Sequence, residues 1–254
     1  MARANEFAGR VVVVTGGAGA GIGGATCRRF AELGAAVAVV DEHGPRARRV
    51  ADELHDEFGV PVWASAVDVA DRGSVDDAIA AIGEQLGFVD ILVNNAAINV
   101  QGSIFDYDPD VFERVLAVDL TACFYLSRVI LPSMRDRGWG RIVNVSSVAA
   151  YMGGSGREPA YSVAKAGLNE LTRAIALEAG PYGIRCNAVA PGLVNSKWVE
   201  KQRERYDTFL DATPLRRHAE PIDVANTIVF LCSDESAHIT GEIVTVSGGW
   251  YLRP

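Results

Sequence analysis

The sequence predicts an α/β fold built on a doubly wound parallel sheet. Short runs of valine and isoleucine recur along the chain, and a longer amphipathic stretch follows nearly every one. Strands of almost continuous β-branched residues are what a sheet covered on both faces requires. Their alternation with helices implies parallel pairing through right-handed crossovers. A glycine-rich run between the first strand and the first helix is the third pointer, because such sheets bind ligands at that turn.

The elements follow in order. Val11–Thr15 reads as a buried strand and Ile22–Leu33 as a helix. Ala36–Asp41 is a second strand and Ala47–Phe58 a helix. Val60–Val69 contains a third strand, and Ser74–Leu86 is helical. Asp90–Ala97 is a fourth strand. Asp110–Arg137 reads as a long helix, with Pro132 the expected point of interruption. Arg141–Ser147 is a fifth strand, Tyr161–Ala179 a helix and Ile184–Gly192 a sixth strand. Asp223–Cys232 is helical, and Glu242–Gly249 closes the pattern as a seventh strand. The expected architecture is therefore Rossmann-like, with about seven strands in a single domain spanning 1–254. No linker, repeat or low-complexity segment breaks it. Ser196–Arg217 is the least regular stretch, and 193–217 is the expected substrate lid.

Composition narrows the function. The 254 residues are 49% hydrophobic and 22% charged, which excludes wholesale disorder and coiled coil. The net charge of −8 and the lack of a basic patch argue against nucleic-acid binding. Arg46, Arg48 and Arg49 read as a solvated helix face. Cys27, Cys123, Cys186 and Cys232 are too scattered for a zinc site or a disulfide framework, and the histidines (His43, His55, His218 and His238) are equally dispersed, so no metal is expected. Scattered thiols fit a reducing cytoplasm. The N-terminus lacks an apolar signal core, and no uninterrupted apolar run approaches the roughly 18–20 residues of a membrane span.

Three motifs carry chemistry. In Thr15–Gly23 (TGGAGAGIG), the glycines Gly16, Gly21 and Gly23 and the adjacent Ile22 let backbone approach a pyrophosphate at a helix N-terminus. Asp41 ends the second strand, where a carboxylate accepts hydrogen bonds from adenosine ribose hydroxyls. Glu42 follows it, and two acids there repel a ribose phosphate, which favours NAD over NADP. Tyr161 and Lys165 stand four apart on one helix face, so the ammonium is expected to lower the phenol pKa toward neutrality and suit it to proton exchange with an alcohol or ketone oxygen. Ser146 and Ser147 end the preceding strand and offer a hydroxyl beside that oxygen.

Taken together, these features resemble the short-chain dehydrogenase/reductase family. The resemblance runs through TGGAGAGIG, Asp41, Asp68-Val69, Asn94-Asn95-Ala96-Ala97, the serine pair, YSVAK, Pro191-Gly192 and TGEIVTVSGGW. It implies an NAD(P)-dependent oxidoreductase that is a homotetramer or homodimer. By resemblance, Tyr161 is the acid/base, Lys165 its electrostatic partner and a ligand of the nicotinamide ribose, and Ser147 the holder of the substrate oxygen. Asp68 and Val69 flank the adenine, Asn94 and Ala96 lie along the cofactor, and Pro191, Gly192 and Val194 line the nicotinamide carboxamide.

The chain departs from the family pattern in three places. The glycine loop is one residue longer than usual. Ser147 and Tyr161 are fourteen positions apart against the usual thirteen, with a bulge expected around Gly153–Glu158. Asp119 replaces the usual asparagine, and its carboxylate is expected to pair with Lys165. The loop and the replaced asparagine resemble a steroid- and acyl-CoA-catabolising branch of the family, as does Asn195–Trp198. The main expectation is an NAD-dependent oxidoreductase acting on a secondary alcohol or ketone with a bulky apolar body. Trp198, Phe209, Trp250 and Tyr251 lie in segments expected to surround its pocket, although packing in the core or an interface would also employ them. The alternatives are an NADPH-dependent 3-oxoacyl-thioester reductase and a non-catalytic dinucleotide-binding regulatory protein.

Overall fold

A computed structural model describes residues 5–154, 156–196, 199 and 207–252. Among these, seven strands form one parallel sheet in the order β3-β2-β1-β4-β5-β6-β7. They are β1 (Val11–Thr15), β2 (Ala36–Asp41), β3 (Val62–Ala66), β4 (Ile91–Asn94), β5 (Gly140–Val145), β6 (Ile184–Pro191) and β7 (Ile243–Val246). Every residue of β1, β4, β5 and β6 is buried, as strands covered on both sides must be. The strand order reverses between β1 and β4, so the crevice at their carboxyl ends is where such a sheet binds ligands.

The helices are α1 (Ile22–Glu32), α2 (Gly44–Phe58), α3 (Arg72–Gln85), α4 (Pro109–Leu116), α5 (Ala122–Arg137), α6 (Ala149–Met152), α7 (Pro159–Ala179) and α8 (Pro221–Cys232). One core lies under α1, α2 and α8, around Phe30, Leu54 and Ile228. The opposite core lies under α3, α5 and α7, around Ile82, Leu126, Met134 and Ile175. Helix ends follow local chemistry. Asp71 caps α3 by accepting from the Ser74 N–H at 3.0 Å. Glu220 and Asp223 form a reciprocal capping box at α8. Gly59 and Gly138 end α2 and α5 in the left-handed conformation.

The structure departs from the expected elements in two instructive ways. The stretch expected as one helix over 110–137 is interrupted not at Pro132 but at Ala117–Thr121, which forms a π turn between α4 and α5. Pro132 sits inside α5 on its exposed face, where the carbonyl that loses its helical partner is open to solvent. The strands expected to run to Ala97, Ser147, Gly192 and Gly249 stop earlier, at Asn94, Val145, Pro191 and Val246. Most of the residues just beyond those ends turn out to line the cavities described below.

Continuity through the π turn makes Pro109–Arg137 29 residues long, enough in length and apolarity to cross a membrane. Its Val118, Ala122, Leu126 and Ile130 are instead core residues packed on the sheet. The four cysteines are free and buried, on α1, α5, β6 and α8. Burial pushes Cys27, Cys123 and Cys232 up to about 12 and Cys186 higher still, so none is a nucleophile.

Phe30 locks α1 to the sheet. It is fully buried and meets Phe7 edge-on at 5.1 Å between ring centroids. Phe30→Ala is expected to lower the unfolding free energy by about 3–5 kcal/mol, read from urea denaturation.

Candidate active site

The crevice begins at the glycine loop. Gly16 has φ +65°, and a Cβ there would lie 2.9 Å from Asn95 Nδ2. A Cβ on Gly23 would run into the Gly16 carbonyl oxygen, so the loop folds onto the first turn of α1 only with glycine at 23. Gly21, the N-cap, supplies no side-chain acceptor, which leaves the first N–H groups of α1 available to an anion. The lengthened loop is tied to the end of β2 by two hydrogen bonds. Gly17 N–H donates to the Val40 carbonyl at 3.2 Å and Ala18 N–H to Asp41 Oδ2 at 3.1 Å.

Thr15 and Asn95 clamp the two strands at the switch point. Thr15 Oγ1 accepts from the N–H groups of Asn95 and Ala96 at 2.9 and 3.0 Å, and Asn95 Nδ2 donates to the carbonyls of Thr15 and Gly16. Two cavities open there. One, of about 250 Å³, is walled by Gly16, Asp41, Glu42, Arg46, Asp68, Val69, Ala96 and Arg114. Asp41 Oδ1 accepts from His43 N–H at 3.0 Å, and Arg114 pairs with Asp68 at 3.0 Å.

The other cavity, of about 310 Å³, holds the reactive groups. Ser147 lies just past β5, and Tyr161 and Lys165 stand on α7. The Ser147 hydroxyl and the Tyr161 phenol face the same cavity, and the nearby hydroxyl favours the phenolate. Ser146 is committed elsewhere, donating to the Lys165 carbonyl at 3.3 Å, so Ser147 is the available hydroxyl. Lys165 Nζ donates to the Val145 carbonyl at 3.0 Å and lies 5.4 Å from the Tyr161 ring centroid.

Asp119 comes from the π turn. Its Oδ2 is 3.3 Å from Lys165 Nζ, with both side chains sealed from solvent, and its Oδ1 accepts the Ile98 N–H at 2.9 Å. The expected Asp119–Lys165 pair is therefore present. Burial raises the Asp119 carboxyl above the usual carboxylate range, while Lys165 and the Ile98 N–H restrain it. Burial alone would lower the Lys165 ammonium, but Asp119, followed by Tyr161, outweighs it and the net direction is up. Tyr161 corrects the sequence-based expectation. Its phenol is raised rather than lowered, because burial dominates and Asp119 offsets part of the pull of Lys165.

Residues 17–251 match the family described as enoyl-(acyl carrier protein) reductase. The (5R,7aS)-5-hydroxy-7a-methyl-1-oxo-2,3,5,6,7,7a-hexahydro-1H-indene-carboxyl-CoA reductase of Mycobacterium tuberculosis is 40% identical over 94% of this chain and 92% of its own. This chain belongs to the short-chain dehydrogenase/reductase family. The L-sorbose reductase of Gluconobacter frateurii, solved with NADPH and L-sorbose, superposes with a TM-score of 0.93 and 31% identity over 99% of this chain and 100% of its own. An NAD⁺-bound xylitol dehydrogenase does so with 0.90 and 28% identity over 96% of this chain and 99% of its own. The protein is thus an NAD(P)-dependent oxidoreductase of CH–OH groups.

Within this short-chain dehydrogenase/reductase, most expected site residues reach the crevice. Gly21, Ile22, Ser147, Tyr161, Lys165, Pro191, Gly192 and Val194 line the larger cavity, with Phe209 and Trp250, whose rings meet at 5.3 Å. Two expectations are corrected. Asn94 is buried in the sheet, donating to Asn144 Oδ1 at 2.8 Å, and it is Asn95 that borders both cavities. Tyr251 stacks on Tyr151 at 4.9 Å rather than walling the site. The bulge between Ser147 and Tyr161 is built on Gly153, Gly154 and Gly156, all with positive φ. Trp198 and much of the expected lid fall outside the described residues. Arg46 is exposed, as expected of a solvated helix face, and also stands 3.8 Å from Asp41 at the smaller cavity. Arg114, Asn99 and Glu158 also carried no local signal, since long crossovers bring them to the site.

Gly23→Ala should weaken NAD(P)H binding at least tenfold, about 1.4 kcal/mol, in calorimetric titration, and should also lower the unfolding transition, because the added Cβ meets the Gly16 carbonyl. Asp119→Asn removes a charge that raises Tyr161 while keeping an acceptor for the Ile98 N–H. The phenol then ionises more readily, so the pH–rate profile for alcohol oxidation should shift toward acid. An unshifted profile would detach the carboxylate from the titration.

Proposed function

We propose that the protein oxidises secondary alcohols with an apolar body, or reduces the matching ketones, using NAD in preference to NADP. The observation that carries this reading is the Tyr161 phenol, sharing one cavity with Ser147, Lys165 and the start of α1. The bare N-cap, the crowded glycines and the two adjoining cavities fit a dinucleotide. Gly16, Asp41, Asp68, Val69 and Ala96 would hold its adenosine half, and Gly21, Ile22, Pro191, Gly192 and Val194 its nicotinamide half. When bound, the nicotinamide supplies or accepts the hydride.

The remaining work belongs to side chains. Ser147 positions the substrate oxygen by hydrogen bonding. Tyr161 takes the carbinol proton during oxidation and returns it during reduction. Lys165 favours the phenolate at that moment, and Asp119 holds Lys165 in place. Val148, Met152, Leu193, Val199, Phe209 and Trp250 give the cavity its apolar walls and support a bulky hydrocarbon substrate. Asp41 and Glu42 support NAD. Arg46 at the same cavity favours a second reading, an NADPH-linked 3-oxoacyl-thioester reductase. The free buried thiols support a reducing, cytoplasmic setting. The groove between α5 and α7, with Phe124, Leu131 and Ile175, supports assembly as a homodimer or homotetramer.

Calorimetry of NADH against NADPH at fixed salt tests the cofactor. NADH is expected to bind at least tenfold tighter, and tighter NADPH binding would favour the thioester reading. Tyr161→Phe should lower kcat on any accepted alcohol by about 10²–10⁴-fold while NADH still binds.

A further inference from the structure

One wall of the larger cavity carries a charge that the Ser147, Tyr161 and Lys165 chemistry does not employ. Glu158 is the N-cap of α7, but its side chain makes no cap hydrogen bond to its own helix. Its Oε1 instead accepts from Asn99 Nδ2 at 2.9 Å and Gln101 Nε2 at 3.3 Å. A backbone bond from the Gly102 N–H to the Arg157 carbonyl, 2.9 Å, ties the two loops together. The residue is only 9% exposed, and it lines the cavity beside Asn99, Gly154 and Tyr161.

Gly154 has φ +69°, and a Cβ there would lie 2.6 Å from Glu158 Oε2 and 2.8 Å from Ser162 Oγ. The glycine therefore keeps the wall open at the carboxylate. Among the described lining residues, Lys165 is the other charged one, and its ammonium faces Asp119 at 3.3 Å. Among the described residues, the surface offered to the body of a substrate is mostly apolar, with Asn99, Asn195 and Ser196 as uncharged polar groups and the Glu158 carboxylate at one corner.

We propose that Glu158 is a specificity-determining residue. Aimed by Asn99 and Gln101, it accepts a hydrogen bond from a second hydroxyl on an otherwise apolar substrate and rejects a carboxylate at the same place. The proposal rests on the alcohol/ketone reading above and names the substrate class more narrowly: a hydroxylated secondary alcohol with an uncharged far end. A hydrogen bond to an ionised acceptor is stronger than one between neutral groups. Two carboxylates brought together in a partly desolvated cavity repel strongly. Glu158 also bears on the Tyr161 phenol, so a change at 158 alters the rate on every substrate through that common route. Discrimination must be read as a ratio between substrates.

The test uses the full chain with NAD⁺ and three probes: cyclohexanol, its para-diol and the para-hydroxy acid. Each kcat/KM is normalised to that of cyclohexanol, for the parent, Glu158→Gln and Glu158→Asp, with thermal unfolding confirming that each variant folds. The parent should favour the diol over the acid at least tenfold. Glu158→Gln should reduce that preference at least tenfold, and Glu158→Asp, which keeps the charge, should retain the exclusion of the acid. A diol-to-acid ratio unchanged in Glu158→Gln would overturn the assignment of Glu158 while leaving the alcohol reading intact. Oxidation of none of the three probes by the parent would overturn the alcohol reading and this one with it.

Discussion

The ammonium of Lys165 is the charge around which this site is organised. It is buried in the centre of the protein, where an isolated cation would be costly. Three elements answer that cost. The end of β5 supplies the Val145 carbonyl, the π turn supplies Asp119, and α7 places the Tyr161 ring beside it. Removing one partner of such a pair strands the other in a low-dielectric interior. The positions of the fifth strand, the π turn and the catalytic helix are therefore coupled through one side chain.

The π turn is where fold and site meet. Mid-helix π turns cluster at functional positions because they alter which residues face inward. Here the turn buries Val118 and Asp119 side by side, Val118 in the core beneath the sheet and Asp119 toward Lys165. Leu120 closes onto Gly167, where even a Cβ would approach its Cδ2 to 2.9 Å. The glycine two residues beyond Lys165 thus lets α7 come near enough for the ion pair to form.

The sheet was legible in the sequence because its signal is local. Runs such as VVVVT and AVAVVD announce buried strands within a few residues, and a glycine loop between strand and helix announces an anion site. Strand ends were less legible. Asn94 and Asn95 are chemically identical, and only the point at which the ladder stops sends one into the sheet and the other into the crevice. Pro132 looked like the break in the long helix, yet the break falls in Ala117–Thr121, a stretch without glycine or proline. The direction of the Tyr161 shift was missed because the i,i+4 lysine is visible in the sequence, whereas burial is not. Glu158 was hidden for the same reason: its partners lie more than fifty residues upstream.

The four buried thiols give the protein an internal clock of its own opening. Each is free, sealed and held protonated, so an alkylating reagent meets no thiolate while the chain is folded. They are also well distributed. Cys27 and Cys232 sit in the core beneath α1 and α8, and Cys186 in the opposite core. Cys123 lies on α5 beside the Lys165–Asp119 pair, and its Sγ donates to the Asp119 carbonyl at 3.5 Å. Labelling rates at single positions would therefore distinguish fluctuations that bare one side of the sheet from those that bare the other. Modification at Cys123 would record the moments when the interior of the site itself comes apart.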